Sequence, residues 1–294
     1  FDDDGNFNGV FKQKSRLVSM IDIKVIVSEL RWAKPVQKFM SNLDWYAGGK
    51  DDSQLNSYLN NARLSFRNWL SIDYSGYDQS ISIWLIREAF DIIRSMFKGD
   101  SHFDEELFKA MVNSFCCKSF IDGSGTLRYS EKGVPSGSMF TQIVDTIVNR
   151  LMILTYMYSK NLPVSECFMC IMGDDNIIFT REVIDRNDLE GYLNANFGVQ
   201  VNAQKSSSGV SISDDPEFLS RSWSFGGAYR FWKHLILKML YPERFRDYRS
   251  GKVHVELVIY SYVLGYHKTM REVFNLQKFV SDYPNLRNRL SEEG

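Results

Sequence analysis

Cys167-Phe-Met-Cys-Ile-Met-Gly173-Asp174-Asp175-Asn176-Ile-Ile-Phe-Thr180 is two apolar runs joined by four residues that favour a turn. Residues 167–172 and 177–180 read as buried strands, and Gly173-Asp174-Asp175-Asn176 supplies hairpin chemistry between them. That reading sets two carboxylates side by side at a tight tip. Like charges so close repel each other, and a divalent cation relieves them best. Magnesium prefers carboxylate oxygens and phosphates, so paired aspartates without histidine suit it better than zinc. Alone, the tetrapeptide is only a polar turn, and its neighbours give it weight.

Working outward, Cys167-x-x-Cys170 has half a zinc-knuckle spacing, but residues three apart on a strand face opposite ways. The thiols read as core packing. Residues 69–73 form a short apolar run closing on Asp73, and Asp78 follows five residues later in Asp73-Tyr74-Ser75-Gly76-Tyr77-Asp78. Ile83, Leu85, Ile86, Phe90, Ile93 and Phe97 then recur at helical spacing, which predicts a helix over 80–97. Residues 99–132 carry the turn signal Asp122-Gly123-Ser124-Gly125 and read as an insertion with a hairpin. Gly133-Val-Pro-Ser136-Gly137 is a loop opening a helix over 138–158, along which Thr141, Asp145 and Asn149 recur every fourth residue as a polar stripe. Further helices are predicted over 188–197 and in most of the chain from 231.

The 294 residues are 44% hydrophobic and 14% aromatic, enough for one large core or several lobes around a shared one. No apolar run is long enough to span a membrane, and the first residues, Phe-Asp-Asp-Asp-Gly-Asn, resemble no signal peptide. Starting on Phe1 rather than Met, the chain reads as cut from something longer. The net charge of −1 hides two basic stretches. Lys12, Lys14, Arg16, Lys24, Arg31, Lys34 and Lys38 outnumber Asp22 and Glu29; Arg230, Lys233, Lys238, Arg244, Arg246, Arg249 and Lys252 outnumber Glu243 and Asp247. Basic segments on both sides of an acidic centre suit a polyanion gripped around a metal site.

In this order, the segments resemble the successive motifs of the right-hand RNA polymerases of RNA viruses. Lys14-Ser15-Arg16-Leu17-Val18 resembles the basic fingers motif, Asp73-x4-Asp78 the first palm motif, Ser136-Gly137-x3-Thr141 the second and Gly173-Asp174-Asp175 the third. Phe197-Gly198-Val199 through Lys205-Ser206 resembles the fourth, and Phe218-Leu219-Ser220-Arg221 the fifth, the primer grip. Residues 133–149 are most similar to polymerases of partitiviruses and picobirnaviruses, double-stranded RNA viruses within a wider picornavirus-like supergroup.

The resemblance implies an α/β (α+β) right hand, with an antiparallel palm sheet backed by helices, partial fingers and a helical thumb. Residues 1–68 would be partial fingers, 69–98 and 133–225 palm, 99–132 a fingers insertion, and 226–294 an incomplete thumb. Asp73, Asp174 and Asp175 would hold two Mg2+ ions about 3.5–4 Å apart, with Mn2+ as a substitute. Lys14 and Arg16 would clamp a ribonucleoside triphosphate beside the backbone of Tyr74, Ser75, Gly76 and Tyr77, and Lys205 would be the general acid for the leaving group. Asp78 would read the ribose 2′-hydroxyl with Ser136, Gly137, Thr141 and either Asp145 or Asn149. Many members of the wider supergroup carry Asn where Asp145 stands, and an Asp donates a hydrogen bond only when protonated. Asp145 is favoured over Asn149, which lies a helical turn further on. Arg221 would hold the primer backbone or pack beside Trp223. Template RNA, nascent RNA and the viral capsid protein are the implied partners, in the virion interior or the host cytoplasm.

Two rivals remain. A reverse transcriptase shares the palm, but typically has Tyr-x-Asp-Asp where this chain has Met172-Gly173-Asp174-Asp175, and lacks the residue equivalent to Asp78. An inactive RNA-binding relative would have no use for three intact, mutually repelling aspartates.

Overall fold

The computed structural model describes residues 21–121 and 124–229. At its centre lies an antiparallel four-stranded sheet in the order β4-β5-β1-β6: β1 (Asn68–Ser71), β4 (Cys167–Met172), β5 (Asp175–Thr180) and β6 (Ser207–Val210). Trp69 pairs with Phe179 on one side and Gly209 on the other, which makes β1 the internal strand joining the hairpin to β6.

Why the strands are continuous apolar runs is explained by what covers them. Leu70, Met169, Ile171 and Ile178 face one core with α4 (Ile83–Ser95) and α6 (Thr141–Ser159). Their neighbours Trp69, Cys170, Ile177 and Phe179 face a second core with Leu55 and Leu59 of α2 (Asp52–Ser65), and with Phe218 and Trp223. Alternate residues thus enter opposite cores, as a pleated strand requires. Cys170 is buried in the second core while Cys167 packs against the first, so the two thiols share no site.

Around the sheet, α1 (Ile23–Met40) begins on the Asp22 cap, whose side chain accepts from Lys24 N–H, and α2 begins on a capping box of Asp51 and Gln54. The helix predicted over 80–97 is α4, preceded by the single turn α3 (Tyr77–Ser80), and that over 188–197 is α7 (Arg186–Phe197). Residues 99–132 contain the expected hairpin, β2 (Lys118–Ile121) and β3 (Leu127–Ser130), and also a helix that the reading of that stretch omitted, α5 (Glu105–Cys116). Asp104 caps α5, and Phe108, Met111 and Phe115 form its buried face. Trp32 of α1 packs edge-on against Phe108 with ring centroids 5.4 Å apart, so α1 and this stretch are packed together. A three-stranded sheet, β7 (Glu217–Phe218), β8 (Arg221–Ser224) and β9 (Gly227–Tyr229), is tied to α2 by buried Arg63, which donates to the carbonyls of Ser211, Trp223 and Asp214. Among the described residues no helix is long and apolar enough to cross a membrane.

Candidate active site

The hairpin turn is tighter than the sequence suggests. Met172 pairs with Asp175, leaving only Gly173 and Asp174 as the loop, with Gly173 at φ 66°. Asp175 therefore opens β5 instead of sitting in a four-residue turn, and Asn176 enters the strand. Three side chains fix this tip from behind. Gly173 N–H donates to Thr146 Oγ1 at 2.8 Å, while Asn149 Nδ2 donates to the carbonyls of Gly173 and Asp174, each at 3.0 Å. Asn176 Nδ2 donates to the Asp174 carbonyl at 3.2 Å and to that of Ile72 at 3.0 Å, and its Oδ1 accepts from Ile72 N–H at 3.1 Å.

Ile72 precedes Asp73, so Asn176 couples the tip directly to the third aspartate. From the other side, Asp73 N–H donates to Ser206 Oγ at 3.0 Å and its carbonyl accepts from Asn202 N–H at 2.7 Å. Ser75 N–H donates to the Gln200 carbonyl at 2.8 Å, and Tyr74 forms a bridge with Val201. The turn carrying exposed Lys205 is thereby fastened to the Asp73 segment, and Arg186 of α7 holds that turn by donating to the Ala203 and Ser206 carbonyls.

Tyr74 and Tyr77 point inward, their rings 4.8 Å apart. Tyr74 OH donates to Asn149 Oδ1 at 2.9 Å, and Tyr77 OH donates to the Asp145 carbonyl at 3.0 Å. Burial first, then the charge of Asp174, raises the Tyr74 pKa, so both phenols stay protonated structural donors. Ser75 and Gly76 remain exposed, with Gly76 at φ 62° ahead of α3. Gly133, at φ 80°, lies directly against this segment. A Cβ there would stand 2.8 Å from the Asp78 carbonyl oxygen, and Val134 N–H donates to that same oxygen at 2.6 Å.

These elements enclose a cleft of about 520 Å³ lined by Asp78, Ser136, Thr141, Asp145, Asp174 and Asp175, together with Gln37, Ser138 and Leu219 among others. Partial burial, followed by the charges of Asp174 and Asp73, pushes the Asp175 carboxyl up to about 6. Asp145 is raised well above 3.8 by burial, then by Asp78 and Asp174. The five aspartates thus share one field. Among the described residues no three acidic, histidine or cysteine side chains already close into a cation cage.

Of the polar stripe, Asn149 is fully committed to Tyr74 and the tip, whereas the Asp145 Oδ1 atom is buried without a hydrogen-bond partner. Arg221 is ion-paired to Asp52 of α2 at 2.6 Å. Lys14, Arg16 and the second basic stretch lie outside the described residues. Sequence reasoning missed Thr146, the role of Asn176, and the β7–β8 turn, where Leu219 and Ser220 adopt φ 54° and 55°. Two left-handed residues in succession form the turn that matches strand twist, usually written with Asn and Gly. Leu-Ser gave no such signal, yet it brings Leu219 to the cleft.

An acidic hairpin tip and a neighbouring strand-end aspartate on an antiparallel sheet, backed by helices, define a right-hand polymerase palm. A viral RNA-dependent RNA polymerase family profile matches residues 5–253, and the chain belongs to that family. It is 29% identical over 148 residues to the RNA-directed RNA polymerase of Cryptosporidium parvum virus 1, covering 50% of this chain and 27% of that protein. A genome polyprotein of human hepatitis A virus genotype IIIA is 29% identical over 199 residues, 62% of this chain and 8% of the polyprotein. The crystal structure of a human picobirnavirus RNA-dependent RNA polymerase superposes with a TM-score of 0.72 at 17% identity, covering 85% of this chain and 48% of that one. The right-hand fold and the resemblance to polymerases of this group are therefore borne out. The chain spans about a quarter of the first of these relatives and about half of the picobirnavirus chain.

Proposed function

We propose that this chain is the catalytic core of an RNA-directed RNA polymerase that extends nascent RNA with ribonucleoside triphosphates along an RNA template. The observation that carries this reading is the side-chain pinning of Gly173-Asp174 to the segment bearing Asp73, beside a cleft lined by Asp174 and Asp175.

Asp73, Asp174 and Asp175 would hold Mg2+, with Mn2+ as a substitute. An all-oxygen donor set and an Asp175 carboxyl raised by burial and then by the charges of Asp174 and Asp73 fit a divalent cation. Mg2+ takes one or two protein carboxylates and completes its shell with triphosphate oxygens and water. Bound there, the metal supplies activation of the primer 3′-hydroxyl and neutralisation of the triphosphate.

The remaining work belongs to the chain. Asp78 and Asp145 line one cleft. The Asp145 carboxyl, raised well above 3.8 by burial and then by Asp78 and Asp174, would in its protonated form donate to the ribose 2′-hydroxyl as the Asn of other members would. Ser136, Gly137 and Thr141 shape the sugar side. Exposed Ser75 and Gly76 let the triphosphate approach the backbone, Lys14 and Arg16 clamp it, and Lys205 protonates the departing pyrophosphate. Arg221 contacts the primer by exchanging Asp52 for a phosphate. In this assignment 69–98 and 133–225 are palm, 1–68 and 99–132 are fingers, and 226–294 is the start of a thumb. Packing of α1 on α5 supports the joint fingers assignment. The site of action is the virion interior, beside the capsid protein, or the host cytoplasm.

Primer extension by the full-length protein with Mg2+ tests the reading. Ribonucleotide addition on an RNA template supports it, and preference for deoxynucleotides, or RNA binding without extension, overturns it.

A further inference from the structure

Glu29 is a buried carboxylate that none of the roles above uses. It sits in the middle of α1 at 2% exposure, surrounded on that helix by buried Trp32, Ala33 and Val36. An ionised side chain is costly to bury unless donors are aimed at it. Here both oxygens are engaged by one loop: Ser138 Oγ donates to Oε1 at 2.8 Å and Met139 N–H donates to Oε2 at 2.8 Å. The Ser138 hydroxyl in turn accepts from Phe140 N–H at 3.0 Å, so its proton is directed to Glu29. Thr141 Oγ1 closes the loop by donating to the Pro135 carbonyl at 2.6 Å.

The loop so held is the wall of the cleft. Ser136, Ser138, Met139 and Thr141 all line it, and Glu29 holds the backbone of this stretch through Met139. The loop also runs directly into α6, whose following turns carry Asp145, Thr146 and Asn149. A carboxylate at that point also complements the partial positive charge at the start of a 19-residue helix. Gln37, two helical turns beyond Glu29 on α1, reaches the same cleft.

We propose that Glu29 is a positioning residue for the sugar side of the nucleotide site: through Ser138 and Met139 it sets the loop on which Ser136 and Thr141 stand. This rests on the polymerase reading. Glu29 thereby controls how tightly and how selectively a ribonucleotide is held, without itself lining the cleft.

Glu29→Gln preserves shape and one acceptor but presents an amide donor to the Met139 N–H or the Ser138 hydroxyl. Ser138→Ala approaches the same contact from the loop and leaves the α1 core intact. In full-length protein each variant is expected to raise KM for the ribonucleoside triphosphate roughly tenfold with a smaller change in kcat, as loss of one charge-assisted hydrogen bond would. Each should also narrow the preference for ribonucleotide over deoxyribonucleotide. Combined, they should give little more than the larger single effect, because they remove one connection. Amide hydrogen exchange at Met139 should accelerate in Glu29→Gln irrespective of any activity. Unchanged KM and sugar preference in folded variants, additive effects, or unchanged Met139 exchange would overturn the proposal. A wild-type enzyme that does not extend RNA, with Met139 exchange still dependent on Glu29, would instead overturn the polymerase reading and keep the loop anchor.

Discussion

Asn176 binds both backbone groups of Ile72, accepting from its N–H at 3.1 Å and donating to its carbonyl at 3.0 Å. The last strand pair between β1 and β5 is Leu70 with Ile178, so the side chain extends the ladder beyond the point where the backbones part. Asp73 is the next residue, so this amide ties it to the hairpin tip, alongside the Tyr74–Asn149 link.

Replacing it tests that coupling. Asn176→Ala leaves the Ile72 N–H and carbonyl without partners in a buried place, at a cost of about 2–4 kcal/mol by the usual penalty for unsatisfied groups. Urea unfolding should show that loss. Extension per folded molecule should fall at least roughly tenfold, since a small displacement of a catalytic group is expensive. A destabilised variant with wild-type turnover would mean that Asn176 serves the fold alone.

Asn149 and Asp145 separate the tip from the sugar. Asn149 spends its amide on the tip and Tyr74, so Asn149→Ala should reduce kcat/KM for ribonucleotides and deoxyribonucleotides by similar factors. Asp145→Ala should act mainly on ribonucleotides and cut the ribose preference by about tenfold or more. The two ratios, measured side by side, decide the assignment.

The pH dependence of stability follows from Asp145. Its folded pKa lies above 3.8, so the folded state holds a proton that the unfolded state releases. The contribution is fully present below 3.8 and is lost as pH rises from there through the folded value. Asp145→Asn is neutral throughout and escapes that loss. Its melting temperature should therefore exceed that of the wild type increasingly as pH rises above about 4 through the folded value, as the linkage relation requires. A constant difference across that range would show that Asp145 does not titrate as proposed.

Gly133→Ala should be among the more damaging single-methyl changes. Its backbone is at φ 80°, and the new Cβ would lie 2.8 Å from a backbone oxygen of Asp78. A loss of about 2 kcal/mol or more is expected from strain and clash together. Gly173→Ala provides the contrast. With φ 66° and nothing within 4 Å, it should cost only about 1–2 kcal/mol for the left-handed conformation.

The sequence was read correctly where local rules and tertiary demand agree. Apolar strands around Gly-Asp-Asp and the long helix over 138–158 were legible because burial and turn chemistry leave marks at short range. Helix α5 was legible in principle, from the Asp104 cap and Phe108, Met111 and Phe115, but the turn signals of 122–125 drew the reading toward a loop. Leu219 and Ser220 were not legible, because their left-handed turn is imposed by the two strands it joins.

By itself the sequence determined which residues carry charge, which segments are buried, and the order of motifs that marks the family. Tertiary structure alone decided the partners: that Asn149 holds the tip while Asp145 faces the cleft, that Asn176 bonds a residue 104 positions away, and that Glu29 holds a loop 109 positions away. Hydrogen bonds between side chains and distant backbone need only a donor and an acceptor of common type. Such pairs leave no periodicity in the sequence, and only the packing of helices on the sheet selects among the many available.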